Sequence, residues 1–464
     1  MLLLSIVLYL LITVAVGFFV SRRVQSTTDY MLAGRSLPLM LSASAMFATW
    51  FGSETVFGAS SQFLEGGLYA VIEDPFGAVL CLLLFGIFYV RKLYQLNLLT
   101  LGDFFKVRYD QRTEIIASLF LALPYIGYIA AQLVAMGLIL NVVTGMVLWE
   151  GVVISAVVVT IYTYVGGMWA ISITDFVQTI IIIVGLFVLA ITLADQAGGI
   201  AQVMSDVPAD RFKFLPHADT KEIAAYIAAW AVLGLGSIPS QDVFQRSMSS
   251  RSVNTAIWSC IIAAFLYLTI AMLPLFISLC TQHLYPETIT GDSQLSLPGM
   301  VLKHTAMPVQ ILFFGSLLSA IMSTTSSAIL APASIFSENL IKPLMRKKIS
   351  DRQLLYATRI SVLLFAVLAT VMACMRSNIY ELVGESSILS LVSLFIPLTL
   401  GLYWKQSSAI GALLAMVFGM LAWFIFEAYD TEWPSLILAT MVSLCAFIFG
   451  SLCWPYKKIA HDHS

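Results

Sequence analysis

Thirteen apolar runs of about twenty residues follow one another along this chain of 464 residues. An α-helix that crosses the hydrocarbon core of a bilayer needs about 20 such residues. Charged residues make up only 11% of the chain, against about 25% in soluble domains. The sequence therefore predicts an all-α polytopic membrane protein with thirteen transmembrane helices. The predicted spans are 2–21, 37–60, 68–92, 113–141, 147–165, 173–194, 222–245, 252–279, 307–338, 353–375, 379–402, 408–427 and 434–454.

The distribution of basic residues predicts the orientation of these spans. With the N-terminus outside and the C-terminus inside, 19 of the 24 lysines and arginines fall on the inner side, as the positive-inside rule requires. Arg246 is assigned to this inner group. The first span is expected to be retained, because its positive charges follow the apolar run instead of preceding it. We expect a multi-pass protein of the cell (inner or plasma) membrane.

Composition excludes several other classes of protein. The net charge of −2 provides no basic field for nucleic acid. The six cysteines have no CxxC spacing, and the five histidines lie in polar connectors or the tail, so neither a structural zinc site nor an intramembrane metal enzyme is indicated. No soluble segment interrupts the spans, so 1–464 is predicted to be one transmembrane domain without enzymatic activity, surrounded by lipid and without an obligate protein partner.

Small residues interrupt two of the spans. Span 37–60 contains the segment 48–54, and span 222–245 contains Gly234, Gly236 and Pro239. Each opens a block of five spans, which predicts a five-plus-five inverted repeat of 37–194 and 222–402. Interrupted helices at matching positions point to a transporter with its site at the bilayer midplane. The alternative is that these residues only kink packed helices.

Four acidic residues fall inside the predicted hydrocarbon region, namely Glu54, Glu73, Asp74 and Asp175. A charge there costs at least about 2.5–3.5 kcal/mol on insertion scales. No lysine or arginine is predicted at the same depth, so a mobile cation is the expected partner. The alternative for Glu73, Asp74 and Asp175 is that they cap helix N-termini, where acidic groups are favourable.

Five consecutive hydroxyl side chains, Ser323 to Ser327, lie in the ninth span. Single serines and threonines in such helices often bond the carbonyl one turn back. Ser323, Ser326 and Ser327 share one helix face, and the carboxylate of Asp175 is available to them. Sodium prefers oxygen donors, by the hardness rule that also governs calcium and magnesium, so this run favours a sodium site.

The run from Gly166 to Gln178, with Gly166-Gly167-Met168-Trp169-Ala170 at its start, resembles the signature of the sodium/solute symporter family. That family includes sodium/proline, sodium/glucose, sodium/sialic acid and high-affinity choline transporters, and the resemblance extends from about residue 29 to residue 425. It implies a sodium ion as the coupling ion and no organic cofactor. The implied first sodium site consists of the carbonyls of Ala48, Phe51 and Ala320 and the hydroxyls of Ser323 and Thr324. Members with a second sodium hold it at positions matching Asp175, Ser323, Ser326 and Ser327, so one and two sodium ions per cycle both stay open.

Within the family, the segments 48–50 and 236–246 are most similar to the choline transporter branch. Choline needs an aromatic cage, because a quaternary ammonium has no hydrogen-bond donor. Trp50 matches one cage residue and Tyr128 lies near another, but Ser240 replaces a third aromatic. The predicted order of solutes is therefore an amine or amino acid first, a choline-like molecule second and a monocarboxylate third. The candidate substrate-binding residues are Trp50, Glu54, Thr55, Glu73, Asp74, Tyr128, Ser240 and Gln241.

These observations predict a secondary active transporter that couples inward sodium flux to uptake of a small organic solute by alternating access. The alternative is a membrane sensor or receptor for a small solute, built on the transporter fold. A passive channel is disfavoured, since interrupted helices around one midplane site suit occlusion of the solute.

Overall fold

The computed structural model describes residues 1–20, 22, 24–289, 293–345, 350–429 and 431–455. In these residues the regular elements are helical, apart from one isolated bridge between Leu37 and Ser250. Helices suit a bilayer because they satisfy their own backbone hydrogen bonds. The predicted all-α class is therefore confirmed. Six of the cations assigned to the inner side, Arg23, Arg346, Lys347, Lys348, Lys457 and Lys458, lie outside the described residues.

Ten helical stretches in the described residues are long and apolar enough to cross a membrane. Thr220–Gly236 and Gln241–Met248, which meet at 46°, provide an eleventh if they are counted as one span. This count is lower than thirteen because Leu148–Gln196 contains two of the predicted spans and because the helix Leu39–Trp50 is too short to be counted by itself. Leu148–Gln196 has 49 residues, about 70 Å of helix, whereas one crossing needs about 30 Å. The ten stretches are Leu2–Val20, Glu54–Gln95, Gln111–Thr144, Leu148–Gln196, Val253–Leu284, Met307–Leu344, Asp351–Met375, Ile379–Tyr403, Ala409–Ala428 and Ser435–Cys453.

The helix Leu39–Trp50 stops at Phe51, whose φ of −86° and ψ of 84° are not helical. We call the segment 48–54 the helix break. Within it the amide of Gly52 donates to the carbonyl of Trp50 at 3.1 Å, so the carbonyl of Ala48 loses the partner it would have in a continuous helix. A Cβ at Gly52 would lie within 3.0 Å of three neighbouring side chains. A larger residue at this position would therefore displace the polar side chains of Glu54, Gln132 or Thr324.

A second interruption lies inside Leu148–Gln196, which we call the long helix. Gly167 has a φ of 54° and a ψ of −157°, in the region that favours glycine. A Cβ there would meet the ring and the carbonyl oxygen of Tyr30 within 2.9 Å. The two halves of the long helix therefore meet at a position where any residue other than glycine would force Tyr30 or the backbone to move.

The helix Met307–Ile335, which we call the hydroxyl helix, lies at the centre of the bundle. Every residue from Ser316 to Ile335 is buried, and the helix packs against the long helix, Leu39–Trp50 and Pro124–Thr144. Helices that are buried all round belong to the interior of a large or membrane-spanning bundle. The run of five hydroxyls therefore faces protein and not lipid.

Candidate sodium and solute sites

Five oxygen groups converge where the helix break faces the hydroxyl helix. The Thr324 hydroxyl lies 3.0 Å from the Ala48 carbonyl oxygen, 3.3 Å from that of Phe51 and 3.1 Å from that of Ala320. The Ser323 hydroxyl lies 3.4 Å from the Ala48 carbonyl oxygen. All five residues are buried. These are the five residues predicted for the first sodium site, and a set made only of carbonyl and hydroxyl oxygens suits a hard cation.

The described residues contain no group of three or more His, Cys, Asp or Glu side chains that could hold a metal ion. Neutral oxygens of the kind found at the helix break bind softer or more highly charged transition metals poorly compared with nitrogen and sulfur ligands. The donor set therefore favours an alkali cation over a transition metal.

Gln132, on the helix Pro124–Thr144, holds the helix break in shape. Its side-chain oxygen accepts the amide N–H of Ser53 at 3.0 Å, and its Nε2 donates to the Glu54 carboxylate at 2.8 Å. The Tyr128 hydroxyl donates to the other oxygen of Glu54 at 3.2 Å. Sequence analysis missed Gln132, although a buried amide inside an apolar helix is a signal that a polar backbone segment lies opposite.

Arg246 corrects the prediction that no cation lies at the depth of the four acidic residues. It was assigned to the inner side, but its side chain is fully buried and its Nη2 lies 3.1 Å from Oδ2 of Asp175. The prediction is wrong because the short helix Gln241–Met248 turns its last residues into the bundle, where Arg246 also donates to the Ala45 carbonyl and the Thr49 hydroxyl. Asp175 lies inside the long helix and does not cap its N-terminus.

The residues implied for a second sodium meet around this ion pair. Ser323 donates to Oδ1 of Asp175 at 2.5 Å, and Arg246 donates to the Ser327 hydroxyl at 2.5 Å. The hydroxyls of Ser326 and Ser327 donate to the Ser323 carbonyl, at 2.9 and 2.7 Å. The guanidinium thus contacts two of the four residues in this set.

A cavity adjoins the helix break, and we call it the central cavity. Five of the eight predicted substrate residues line it, namely Trp50, Glu54, Asp74, Tyr128 and Ser240.

The other three predicted substrate residues lie outside the wall of the cavity. Thr55 shares a hydrogen bond of 2.6 Å with the Tyr267 hydroxyl, behind the wall. The side-chain oxygen of Gln241 accepts the backbone N–H of Leu101 at 2.7 Å. Glu73 faces Gly384 of a neighbouring helix. Glu73 and Asp74 do fall in the first turn of a helical segment, Ile72–Gly77, but Asp74 itself is not helical.

Several residues of the wall were not among the candidate substrate-binding residues. Tyr125 donates to Oδ1 of Asp242 at 2.8 Å, and Tyr267 donates to Oδ1 of Asp74 at 2.5 Å. Asp242 could have been found as a charged residue directly after an interrupted helix, whereas isolated tyrosines in long apolar helices carry no such signal. The hydroxyls of Ser237, Ser386, Ser387 and Ser390 complete the polar part of the wall.

A buried bundle with an interrupted helix, an oxygen cluster at the interruption and an adjoining cavity defines a membrane transporter of the secondary type. The chain belongs to the sodium:solute symporter family, whose model matches residues 30–419. The family resemblance is thereby confirmed. The chain is a multi-pass membrane protein of a transporter family and not an enzyme, and the cell membrane is its expected location.

The chain is also similar to individual transporters. The high affinity choline transporter 1 of Homo sapiens is 28% identical over 440 residues, which cover 90% of this chain and 75% of that protein. The osmoregulated proline transporter OpuE of Bacillus subtilis (strain 168) is 27% identical over 454 residues, covering 89% and 86%. A Na⁺-coupled sialic acid symporter, solved in a substrate-bound outward-open state, shares the fold with a TM-score of 0.86 at 20% identity over 99% of both chains.

Proposed function

We propose that this protein couples the downhill entry of sodium to the uptake of a small organic solute, with an amine or amino acid favoured. The observation that carries the proposal is that one helix break borders both the oxygen cluster and the central cavity. The carbonyls of Ala48 and Phe51 face the oxygen cluster, while the side chains of Trp50 and Glu54 line the central cavity. Because both ligands would contact the same short segment, we expect binding of one to favour binding of the other.

Sodium can drive such a cycle. One ion entering at −100 mV contributes about 2.3 kcal/mol, and a tenfold sodium gradient adds about 1.4 kcal/mol. Together these would support accumulation of a neutral solute by about several hundredfold. A cationic solute gains from the membrane potential directly and needs no further ions.

The proposed stoichiometry is one sodium per solute, bound at the first site. Arg246 already supplies a positive charge to Asp175 and contacts Ser327, and a sodium ion at this place would be repelled by the guanidinium. In proteoliposomes, parallel uptake of labelled sodium and labelled solute should give a flux ratio of one. A ratio of two would establish the second site and overturn this stoichiometry.

The proposed topology retains thirteen spans, an outside N-terminus, an inside C-terminus and the inverted repeat of 37–194 and 222–402. The interruptions in spans 37–60 and 222–245 support the inverted repeat. The length of Leu148–Gln196, which exceeds that of one crossing, supports the number of spans. Single cysteines at Ser205 and Ser350, in a variant without the six native cysteines, provide a test. A membrane-impermeant maleimide should label position 205 in intact cells and position 350 only after the membrane is permeabilised. The reverse pattern would overturn the orientation.

Transport and sensing are distinguished by flux. A transporter should show saturable solute uptake into proteoliposomes when a sodium gradient is applied, and none when potassium replaces sodium. The alternative, a sensor, would bind the solute and change conformation without accumulating it. Binding without flux in both salts would therefore contradict the proposed function.

A further inference from the structure

Two buried polar atoms on the wall of the central cavity have no hydrogen-bond partner among the described residues. They are Oδ2 of Asp74 and Nε1 of Trp50, and both residues line the cavity. Asp74 is 1% exposed and Trp50 is 7% exposed. A buried polar group without a partner pays its full desolvation cost, and a charged group pays more. Two residues that border the cavity therefore each carry a polar atom whose bonding capacity the described protein leaves unused.

Asp74 differs in this respect from Glu54, another carboxylate on the wall. Glu54 accepts from Gln132 at 2.8 Å at one oxygen and from Tyr128 at 3.2 Å at the other. Asp242, the third carboxylate, accepts at Oδ1 from the Tyr125 hydroxyl and from the backbone N–H of Val243, both at 2.8 Å. Of the three, Asp74 is the one whose second oxygen is fully buried without a partner among the described residues.

The orphaned oxygen of Asp74 is also held in a fixed position. Its other oxygen accepts from the Tyr267 hydroxyl at 2.5 Å, and that hydroxyl lies 2.6 Å from Thr55. Asp74 therefore cannot rotate to satisfy Oδ2 without losing the bond at Oδ1. A preorganised acceptor of this kind selects for a donor on the solute.

The charges around the cavity exclude a second anion. Three carboxylates line it, and the lining residues contain no lysine, arginine or histidine. Arg246 is the cation nearest in sequence to Asp242, and it is already bonded to Asp175. A carboxylate on the solute would therefore meet three carboxylates and no side-chain cation, which is unfavourable at low dielectric.

We propose that the transported solute is a small organic cation with a primary or secondary ammonium group, an oxygen acceptor and no carboxylate. Its N–H donates to Oδ2 of Asp74, and its oxygen accepts from the indole N–H of Trp50. This inference rests on the proposed function and narrows its solute class. It separates the solute from zwitterionic amino acids, which carry a carboxylate, and from choline, which has no N–H.

Four small molecules test these requirements one at a time. Ethanolamine has both the ammonium N–H and a hydroxyl, choline keeps the hydroxyl but has no N–H, serine adds a carboxylate to ethanolamine, and glycolate has the carboxylate without the amine. A ligand of the folded state raises its unfolding temperature by mass action. The purified protein would be titrated with each molecule in sodium and in potassium buffer, and the concentration for half-maximal stabilisation recorded.

In sodium, ethanolamine should stabilise the protein at a concentration at least about tenfold lower than choline or serine, because a hydrogen bond to a charged group contributes about 1.5–3 kcal/mol. Glycolate should have no effect. Choline or serine acting at the same or a lower concentration than ethanolamine would overturn the inference, as would stabilisation by glycolate. Absence of any effect of ethanolamine would overturn it too.

Asp74→Asn provides the matching variant, because asparagine can still accept from Tyr267 through its side-chain oxygen. It should remove most of the preference for ethanolamine over choline, so that their ratio approaches one. Glu73→Gln is the control, since this neighbouring carboxylate lies outside the wall of the cavity, and it should retain the preference. A lost preference in both variants would assign Asp74 a structural role. Stabilisation of Asp74→Asn by sodium alone, as in the original protein, verifies that it is folded.

The same titrations distinguish failure of this inference from failure of the proposed function. Sodium-dependent stabilisation by serine or choline in place of ethanolamine would leave sodium coupling intact and reject only the solute class. If sodium alone produced no stabilisation, and no solute stabilised the protein in a sodium-dependent way, both the sodium site and the proposed function would be rejected.

Discussion

The oxygen cluster and the central cavity share the helix break, but their polar groups are satisfied in different ways. Thr324 in the cluster, and Asp175 next to it, find their partners inside the protein. On the wall of the cavity, Asp74 and Trp50 each keep one polar atom without a partner among the described residues. The described protein thus satisfies the polar groups at the proposed ion site more fully than those at the proposed solute site. Changes at the first place should therefore act on stability and sodium affinity, and changes at the second on solute selectivity.

The largest effect is expected at Arg246. Arg246→Gln removes the partner of a fully buried Asp175, and breaking a buried ion pair costs about 3–5 kcal/mol. The unfolding temperature of the purified protein should fall sharply. Arg251→Gln, which changes an exposed arginine nearby, is the control and should change stability by less than about 0.5 kcal/mol. An unchanged unfolding temperature for Arg246→Gln would show that Asp175 has another cation, which would support a second sodium.

The next largest effect is expected at Gln132. Gln132→Ala removes the acceptor of the Ser53 amide N–H and one donor to the Glu54 carboxylate. The free energy of unfolding should fall by about 1–3 kcal/mol. The sodium concentration for half-maximal uptake should rise as well, because the helix break loses its support. Gln310→Ala removes a buried amide that bonds Leu302 and Thr305 and serves as the control. If both variants raised the sodium requirement equally, the link between Gln132 and the ion site would be refuted.

A smaller and more selective effect is expected at Thr324. Thr324→Ala removes a hydroxyl that lies against three carbonyl oxygens, and it should raise the sodium concentration for half-maximal uptake about tenfold, or about 1.4 kcal/mol. The neighbouring Thr325 donates to Ile321 of its own helix at 2.5 Å. Thr325→Ala should therefore leave the sodium dependence unchanged. Equal behaviour of the two variants would remove Thr324 from the ion site.

The smallest effect is expected at Trp50. Trp50→Phe keeps an aromatic ring on the wall of the cavity but removes the indole N–H, which bonds nothing else among the described residues. Solute affinity should fall by about two- to tenfold, the equivalent of one hydrogen bond, while sodium dependence stays the same. Trp149→Phe, at an exposed tryptophan, is the control for the loss of an indole. A change in sodium dependence with unchanged solute affinity would contradict the division between the two regions.

Sequence alone determined the helical class and predicted the position of the helix break, and the family resemblance implied the five residues of the oxygen cluster. The first two features depend on local signals. The length of apolar runs predicts spans, small residues such as Gly52 mark an interruption, and consecutive hydroxyls in an apolar run mark the helix that faces it. The number of spans stays a prediction, because a run of residues does not show whether two neighbouring spans form one continuous helix.

Only the tertiary structure decided which polar side chains meet. Arg246 and Asp175 are 71 residues apart in the chain, and Tyr267 and Asp74 are 193 apart. Their contacts depend on how each helix rotates about its axis when it packs, and an apolar helix without a clear polar face carries little information about that rotation. For the same reason Gln241 was predicted at the cavity but bonds the backbone of Leu101 instead. Local sequence and the family resemblance therefore predicted the oxygen cluster, whereas helix packing determined which polar groups line the central cavity.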